Sequence, residues 1–291
     1  MQGSKMEPLD SRFVGLLYII LSLLPLPFHL IIITAILRPQ KNRNQPPYVI
    51  LTARAIAEIG QLTIHAMSGI CVVANRMFCD NVHVILGYAM FFFWTAMIFL
   101  HVLLCINRFV VIAANQCADK NNVGMTYILI VVCFISSAFC TAGTSQDQMR
   151  FHAQKLSWTS ERHQNFNVAI FYLQIALIGV GLFCCSFVVL FLADQKRKLT
   201  QNESAPKPTE IRIFFLSTVT FLLAASNFCL WYPVNFVFDN EIHSAMVMNL
   251  IWILTCGSPP FLAIWMNSEI SRSIRELTIF ETNTKTVSVV S

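Results

Sequence analysis

The stretch FNVAIFYLQIALIGVGLFCCSFVVLFLA, residues Phe166–Ala193, decides the fold class of this protein. It contains no Asp, Glu, Lys or Arg over its whole length. A helix needs ~20 consecutive apolar residues to cross the hydrocarbon core of a bilayer, whereas a strand of a membrane barrel runs ~10 residues with alternating polarity. The stretch is therefore predicted to be a membrane-spanning helix.

Six further segments of the chain have the same character. In chain order the seven are Phe13–Leu37, Pro47–Ala74, Val84–Ile106, Val123–Ala142, Phe166–Ala193, Ile213–Phe238 and Ile242–Met266. Only the second contains charged residues, Arg54 and Glu58. The sequence thus predicts an all-α membrane protein, a seven-transmembrane helix bundle that forms one domain.

The composition of the 291 residues agrees with this class. Only 12% are charged and 56% are hydrophobic, whereas ~25% of a typical soluble domain is charged. A soluble enzyme or a disordered protein is excluded on this ground. The net charge of +5 does not predict a nucleic-acid partner, because the basic residues occur in short runs between apolar segments. The chain has no catalytic motif and no metal-ligand spacing, so we predict no enzymatic activity, no metal and no cofactor.

The distribution of Lys and Arg predicts the orientation. The loops 38–46, 107–122 and 194–212 and the tail 267–291 hold thirteen basic residues, and the opposite set of loops holds six. Basic loops remain on the cytoplasmic side. We therefore expect an extracellular N-terminal segment, 1–12, a membrane domain, 13–266, and a cytoplasmic tail, 267–291.

Two local patterns refine this picture. Pro25 and Pro27, near the middle of the first segment, predict a kink, because each removes a backbone hydrogen bond of the helix. In the tail, one face of Ser268–Phe280 carries Ile270, Ile274 and Leu277. This amphipathic spacing predicts a short helix on the inner leaflet after the seventh span.

The few polar residues within the spans are expected to bond to one another. Arg54 and Glu58 are four residues apart, so they share a helix face and are predicted to form an intramembrane ion pair. His29, His65 and His101 lack metal-ligand spacing. Hydrogen bonds between helices are the expected role of all three.

Seven spans, short loops and a basic third inner loop are typical of G-protein-coupled receptors. The alternative, from another class, is a small-solute transporter or channel. Many transporters carry internal repeats with matched Gly or Pro interruptions, and this sequence shows no such repeat. Its intramembrane charge is limited to one pair, with no series suited to a proton relay. The receptor is the favoured interpretation.

Short motifs at the ends of the spans resemble those of the rhodopsin-like receptors. Ile106–Phe109 reads INRF, like the Asp-Arg-Tyr signature with Asn and Phe in the flanking places. Trp231–Pro233 resembles the end of Cys-Trp-x-Pro, and Ala55–Glu58 resembles Leu-Ala-x-x-Asp with Glu for Asp. Pro259–Ala263 keeps the proline of Asn-Pro-x-x-Tyr but lacks its Asn and Tyr.

With these departures from the rhodopsin-like motifs, the chain resembles the nematode serpentine chemoreceptors. INRF at the end of the third span fits that family, as do CGSPP, Cys256–Pro260, and MNSEISR, Met266–Arg272. Among its classes the chain most resembles class T and then class X. The resemblance implies a chemosensory G-protein-coupled receptor in signal transduction, with a small-molecule ligand, a heterotrimeric G protein and the lipid bilayer as partners. It implies a multi-pass protein of the plasma membrane, with the sensory cilium as a candidate location.

The resemblance implies roles in activation and G-protein coupling for Asn107, Arg108, Pro233 and Pro260. The alternative for Arg108 is a topogenic charge whose side chain merely extends to the membrane surface. Asn107 replaces the usual acidic neighbour, so no adjacent carboxylate restrains Arg108, and Glu210 at the start of the sixth span is a candidate replacement. The acidic place in the second span binds sodium in the resembled family. Here we favour an internal ion pair, because Arg54 competes for the Glu58 carboxylate.

A ligand pocket is expected in the outer half of the bundle. Trp94 lies fourteen residues before Arg108, about four helical turns towards the outside, and Trp231 lies beside the kink at Pro233. We predict that the two rings face each other at the floor of this pocket, with a lipid-facing position as the alternative for Trp231. The remaining predicted contacts are Phe91, Gln174 and Asn249.

The resemblance also implies a disulfide on the outer face. Cys79 precedes the third span, but residues 144–165, the second outer loop, contain no cysteine. Cys140, near the outer end of the fourth span, is the nearest candidate partner. The outer face is oxidising, so a bond is chemically allowed, with two free thiols as the alternative.

Overall fold

The computed structural model describes residues 8–39, 45–76, 79–113, 123–143, 149–152, 156–160, 165–198, 208–230 and 241–276. Its helices are Pro8–Leu23, Leu26–Leu37, Pro46–Ala74, Asp80–Ala113, Val123–Gly143, Asn165–Lys198, Pro208–Leu230, Glu241–Gly257 and Pro259–Met266. The first two form span one, the last two form span seven, and the others are spans two to six. All seven spans are long and apolar enough to cross a membrane. The predicted seven-helix bundle is confirmed.

Proline interrupts spans one and seven. The break in span one lies at Pro25, so the predicted kink is confirmed. Span seven breaks at Ser258, because Pro259 and Pro260 have no N–H groups for the carbonyls of Thr255 and Cys256. Side chains contact these two carbonyls instead.

The hydroxyl of Ser258 lies 3.5 Å from the Thr255 carbonyl oxygen. Nε2 of His29, in span one, lies 3.1 Å from the Cys256 carbonyl oxygen. A freed backbone carbonyl in a membrane helix requires such a donor, because no water is available there. Span one is thus bonded to span seven at the proline break of span seven.

A two-stranded hairpin between spans four and five adds to the predicted helices. Strand β1, Met149–His152, runs antiparallel to β2, Ser157–Ser160, and Phe151 lies opposite Trp158. Phe151, Leu156 and Trp158 are buried in one apolar cluster with residues of spans one, two, three, six and seven. The hairpin therefore fills one end of the bundle, which we call the hairpin end. The opposite end, where Arg108 lies, is the Arg108 end.

The outside of the bundle is apolar. Large hydrophobic side chains such as Phe139, Leu190 and Trp265 are more than two-thirds exposed. Such a surface is unfavourable in water and suits the hydrocarbon of a bilayer. The chain is a multi-pass membrane protein.

A further helix follows span seven at residues 268–276, and the predicted tail helix is confirmed over this range. Asn267 begins it, because its side-chain oxygen accepts the backbone N–H groups of Glu269 and Ile270 at 3.0 and 3.3 Å. Ile270 is buried, and Ile274 packs on the same apolar cluster at the Arg108 end. Leu277 lies outside the described residues.

Spans one and two approach each other closely at two glycines. A Cβ atom on Gly69 would lie 2.7 Å from the Gly15 carbonyl oxygen, and one on Gly15 would lie 2.9 Å from the Gly69 carbonyl oxygen. Small residues at such a crossing allow two membrane helices to pack backbone against backbone. This contact fixes the distance between the two spans.

We therefore expect Gly69→Ala to destabilise the bundle by about 1–3 kcal/mol through overpacking. Gly179→Ala is the matched control, because a Cβ atom there meets nothing within 4 Å and alanine favours the helix by ~1 kcal/mol. Thermal unfolding of the purified variants compares the two. Equal melting temperatures would show that the close approach is not what sets this packing.

Candidate functional site

An ion pair lies in the middle of the bundle. Arg54 Nε is 3.1 Å from Glu58 Oε1, and the two side chains are only 3% and 1% exposed. The pair predicted from the four-residue spacing is confirmed. Two buried charges in a membrane depend on each other, since neither can be hydrated.

The pair extends to three neighbouring spans. Arg54 Nη1 donates to the hydroxyl of Thr220 in span six at 2.8 Å. Glu58 Oε2 lies 3.7 Å from Nδ1 of His29, whose other nitrogen contacts the Cys256 carbonyl in span seven. Spans one, two, six and seven therefore meet in one polar network. We call these five residues the central network.

Arg108 forms the second polar cluster. Its side chain is fully buried and makes an ion pair with Glu210 at the start of span six, as expected for the candidate replacement. Asn107 provides no carboxylate, as the sequence indicated, but it still contacts Arg108. The Asn107 side-chain oxygen accepts hydrogen bonds from Arg108 Nε at 3.2 Å and Nη2 at 2.5 Å. An amide oxygen thus occupies the place of a carboxylate.

The start of span six makes another hydrogen bond at the same end of the bundle. Arg212 donates to the Ser268 hydroxyl at the start of the tail helix. Nearby, the Tyr48 hydroxyl donates to Glu269 Oε2 at 2.8 Å and lies 3.4 Å from the Asn267 amide nitrogen. Span six is therefore held at its first turn by span three and by the tail helix.

Aromatic side chains form a third group towards the hairpin end. Trp94 and Trp252 pack edge to face with ring centroids 5.0 Å apart, and the Trp252 indole nitrogen donates to Gln61 Oε1 at 2.7 Å. The predicted partner of Trp94, Trp231, and the adjacent Pro233 lie outside the described residues. The described partner of Trp94 is thus a tryptophan of span seven that the sequence did not indicate.

The other predicted pocket residues differ in their surroundings. Asn249 is buried in span seven beside the Tyr18 hydroxyl. Gln174 is buried in span five, and Phe91 is half-buried in span three. Pro260 is buried in the second helix of span seven. The role of each stays a prediction.

The hairpin is held on the bundle by two hydrogen bonds. The Phe151 backbone N–H donates to Nε2 of His83 in span three at 2.8 Å, and the Tyr18 hydroxyl donates to the Leu156 carbonyl at 2.9 Å. The His83 and Trp158 rings are stacked, with centroids 6.1 Å apart. These contacts connect the hairpin to spans one and three.

The expected disulfide between Cys79 and Cys140 does not form. Both residues are free cysteines, with Cys79 exposed before span three and Cys140 buried within span four. The expectation followed the resemblance rather than any spacing in this chain. Here the contacts of His83 with Phe151 and Trp158 connect the loop to span three instead.

Two of the three histidines depart from the expectation of bonds between helices. His29 bonds to span seven as expected. His101 bonds to the Met97 carbonyl of its own helix. His65 is fully buried and has no hydrogen-bond partner at either ring nitrogen among the described residues.

Several residues of these clusters belong to no recognisable sequence motif. Thr220 and Gln61 are ordinary polar residues within apolar spans, and Trp252 is one of five tryptophans. The hairpin had a visible signal in Phe151, Leu156 and Trp158, three large apolar residues in a mostly polar loop. Large apolar residues placed singly among polar neighbours could have indicated a strand pair with one buried face.

Comparison with known proteins identifies the family. Residues 2–287 match the family described as the serpentine type seven-transmembrane G-protein-coupled chemoreceptor Srt. The chain belongs to this family. This match confirms the resemblance to class T, and the Srt family is a receptor family and not an enzyme family.

The fold of this Srt chemoreceptor is similar to that of squid rhodopsin. The two structures superpose with a TM-score of 0.79 over 95% of this chain and 87% of the rhodopsin chain, at 12% sequence identity. At that identity the likeness shows the rhodopsin-like fold alone. Comparison with curated proteins gave no significant match.

The central network yields a prediction for stability. Arg54→Met leaves the Glu58 carboxylate buried without its partner, so we expect a loss of about 3–5 kcal/mol, while Arg54→Met/Glu58→Met recovers most of it. The matched control is the exposed pair Arg272 and Glu276, also four residues apart, whose charge removal costs about 0–1 kcal/mol. Thermal unfolding of Arg54→Met, Glu58→Met, the double variant and the Arg272→Met/Glu276→Met control measures the difference. Simple addition of the two single losses in the Arg54/Glu58 double variant would contradict the prediction.

Proposed function

We propose that the chain is a chemosensory receptor of the plasma membrane that binds a small molecule and activates a heterotrimeric G protein. The ligand binds towards the hairpin end, beside Trp94 and Trp252. The G protein binds at the Arg108 end, which faces the cytoplasm. The sensory cilium is a candidate location.

The observation that carries this proposal is the buried Arg108–Glu210 pair. It joins the end of span three to the first turn of span six across the bundle. A buried guanidinium without its partner is unfavourable, so the pair favours the arrangement in which the two helix ends stay together. A G protein needs a cleft at this end. Separation of Arg108 from Glu210 would open one.

Ligand binding acts on this pair through the position of span six. Only a ligand that binds the open state more tightly than the closed state shifts the balance between them. Movement of span six must also break the Thr220 bond to Arg54 in the central network. The receptor therefore has one restraint on span six in the middle of the membrane and a second at the Arg108 end.

The proposed orientation follows from the basic residues. The loops and tail at the Arg108 end hold thirteen Lys and Arg residues, and those at the hairpin end hold six. We expect antibody labelling of intact cells to detect a tag at the N-terminus and to miss a tag at the C-terminus. Permeabilised cells, in which both tags are accessible, are the control. Surface labelling of the C-terminal tag would rule out the receptor orientation.

Coupling to a G protein is tested by the charge of Glu210. Glu210→Gln keeps the shape but removes the ion pair with Arg108, so we expect ligand-independent signalling to rise about fivefold or more. Signals in cAMP, cGMP and calcium are read in expressing cells at matched surface levels. Glu276→Gln, which alters an exposed carboxylate of the tail helix, should leave signalling unchanged.

Two outcomes would contradict the proposed function. One is an unchanged signal for Glu210→Gln at full surface expression. The other is solute flux into liposomes that contain the purified chain, which would indicate the transporter or channel instead.

A further inference from the structure

His65 differs from His29 and His101 in what its ring contacts. His29 contacts the Cys256 carbonyl, and His101 contacts the Met97 carbonyl. His65 has no exposed surface, and both of its ring nitrogens lack a hydrogen-bond partner among the described residues. A buried polar group without a partner is unfavourable, and such groups in native proteins require an explanation.

The aromatic neighbours of His65 do not supply the missing bonds. Its ring packs edge to face on Trp252, with centroids 5.1 Å apart, and Trp252 packs in turn on Trp94. The indole N–H of Trp252 is already bonded to Gln61 Oε1. The Gln61 amide nitrogen lies 3.4 Å from each of two backbone carbonyls. The imidazole is therefore left with hydrogen-bonding capacity inside an aromatic wall.

A second buried group has the same property and belongs to the apolar cluster that includes Trp252, on which the His65 ring packs. Trp158, in strand β2 of the hairpin, has an indole nitrogen without a hydrogen-bond partner in the described parts of the chain. It lies in the segment that fills the hairpin end, whereas His65 lies in span two. Two elements of the fold thus each present a polar atom to the same apolar cluster. An indole N–H can only donate, so it needs an acceptor.

Charge limits what such a site can bind. The nearest ionised groups on span two are Arg54 and Glu58, and these are paired with each other. Glu58 lies seven residues before His65, which is about 10 Å along the helix. A charged ligand beside His65 would lose its hydration without gaining a counter-ion. An uncharged ligand avoids this cost.

We propose that His65 is the polar recognition residue of the ligand site, and that the ligand is an uncharged molecule with a hydroxyl or carbonyl oxygen on an apolar frame. A neutral imidazole has one donor and one acceptor, so it bonds either oxygen type. The apolar frame packs against Trp94 and Trp252, and the Trp158 indole N–H donates to an oxygen of the ligand. This inference rests on the proposed function and names the ligand class of its site.

The first test requires no ligand. His65→Leu replaces an unsatisfied polar ring by an apolar side chain of similar size, so the melting temperature of the purified full chain should rise by about 2 °C or more. His29→Leu is the matched control, and it should lower the melting temperature because it removes bonds to span seven and Glu58. An unchanged or lower melting temperature for His65→Leu would overturn the proposal, because the ring would then have partners of its own.

The second test uses defined probes on the full chain in lipid nanodiscs. These are aliphatic and aromatic alcohols and ketones, the hydrocarbons of the same frames, and the matching carboxylates and ammonium ions. We expect alcohols or ketones to bind, and His65→Leu to weaken their binding about tenfold. Trp158→Phe, which keeps the ring but removes the N–H, should weaken it less than His65→Leu.

Binding measured this way requires no G protein, so the two proposals fail separately. Equal or better binding of hydrocarbons or ions, no binding of any alcohol or ketone, or unchanged binding by His65→Leu would each overturn the role of His65. Binding that depends on His65 without any signal in cells would leave this inference intact and count against the proposed function.

Discussion

The assembly of this bundle depends on one buried charge pair. Arg54 and Glu58 are almost fully enclosed, and each needs the other because the bilayer offers neither water nor a counter-ion. Their contacts continue beyond span two, to the Thr220 hydroxyl in span six and to the His29 imidazole in span one. The relative positions of three helices are therefore coupled to two side chains that are four residues apart.

The charge pair is also coupled to the break in span seven. Pro260 has no N–H for the Cys256 carbonyl, and His29 Nε2 contacts this carbonyl at 3.1 Å. The other nitrogen of the same imidazole faces Glu58. A shift of the charge pair therefore changes the group that stabilises the broken backbone. The charge pair thus links span six, through Thr220, to span seven, through His29.

Sequence reasoning succeeded where distance along one helix decides the outcome. The seven spans follow from length and polarity, the Arg54–Glu58 pair follows from its spacing, and the kink follows from Pro25. Contacts between spans depend on the rotation of each helix, which one sequence does not contain. For that reason the sequence predicted Trp231 as the partner of Trp94, whereas the structure places Trp252 against it. The disulfide failed for another reason, because it was carried over from related receptors rather than derived from this chain.

The two ends of the bundle differ in whether their buried polar groups are hydrogen-bonded. At the Arg108 end, Arg108 is bonded to Glu210 and to Asn107, and Tyr48 bonds to the tail helix. Towards the hairpin end, the rings of His65 and Trp158 are buried, and their ring nitrogens have no hydrogen-bond partner within the ranges that the structure describes. A folded chain is expected to satisfy its buried polar groups except where function requires otherwise. In the proposed receptor, the satisfied end would hold the closed state, and the unsatisfied end would offer the hydrogen bonds through which a ligand opposes it.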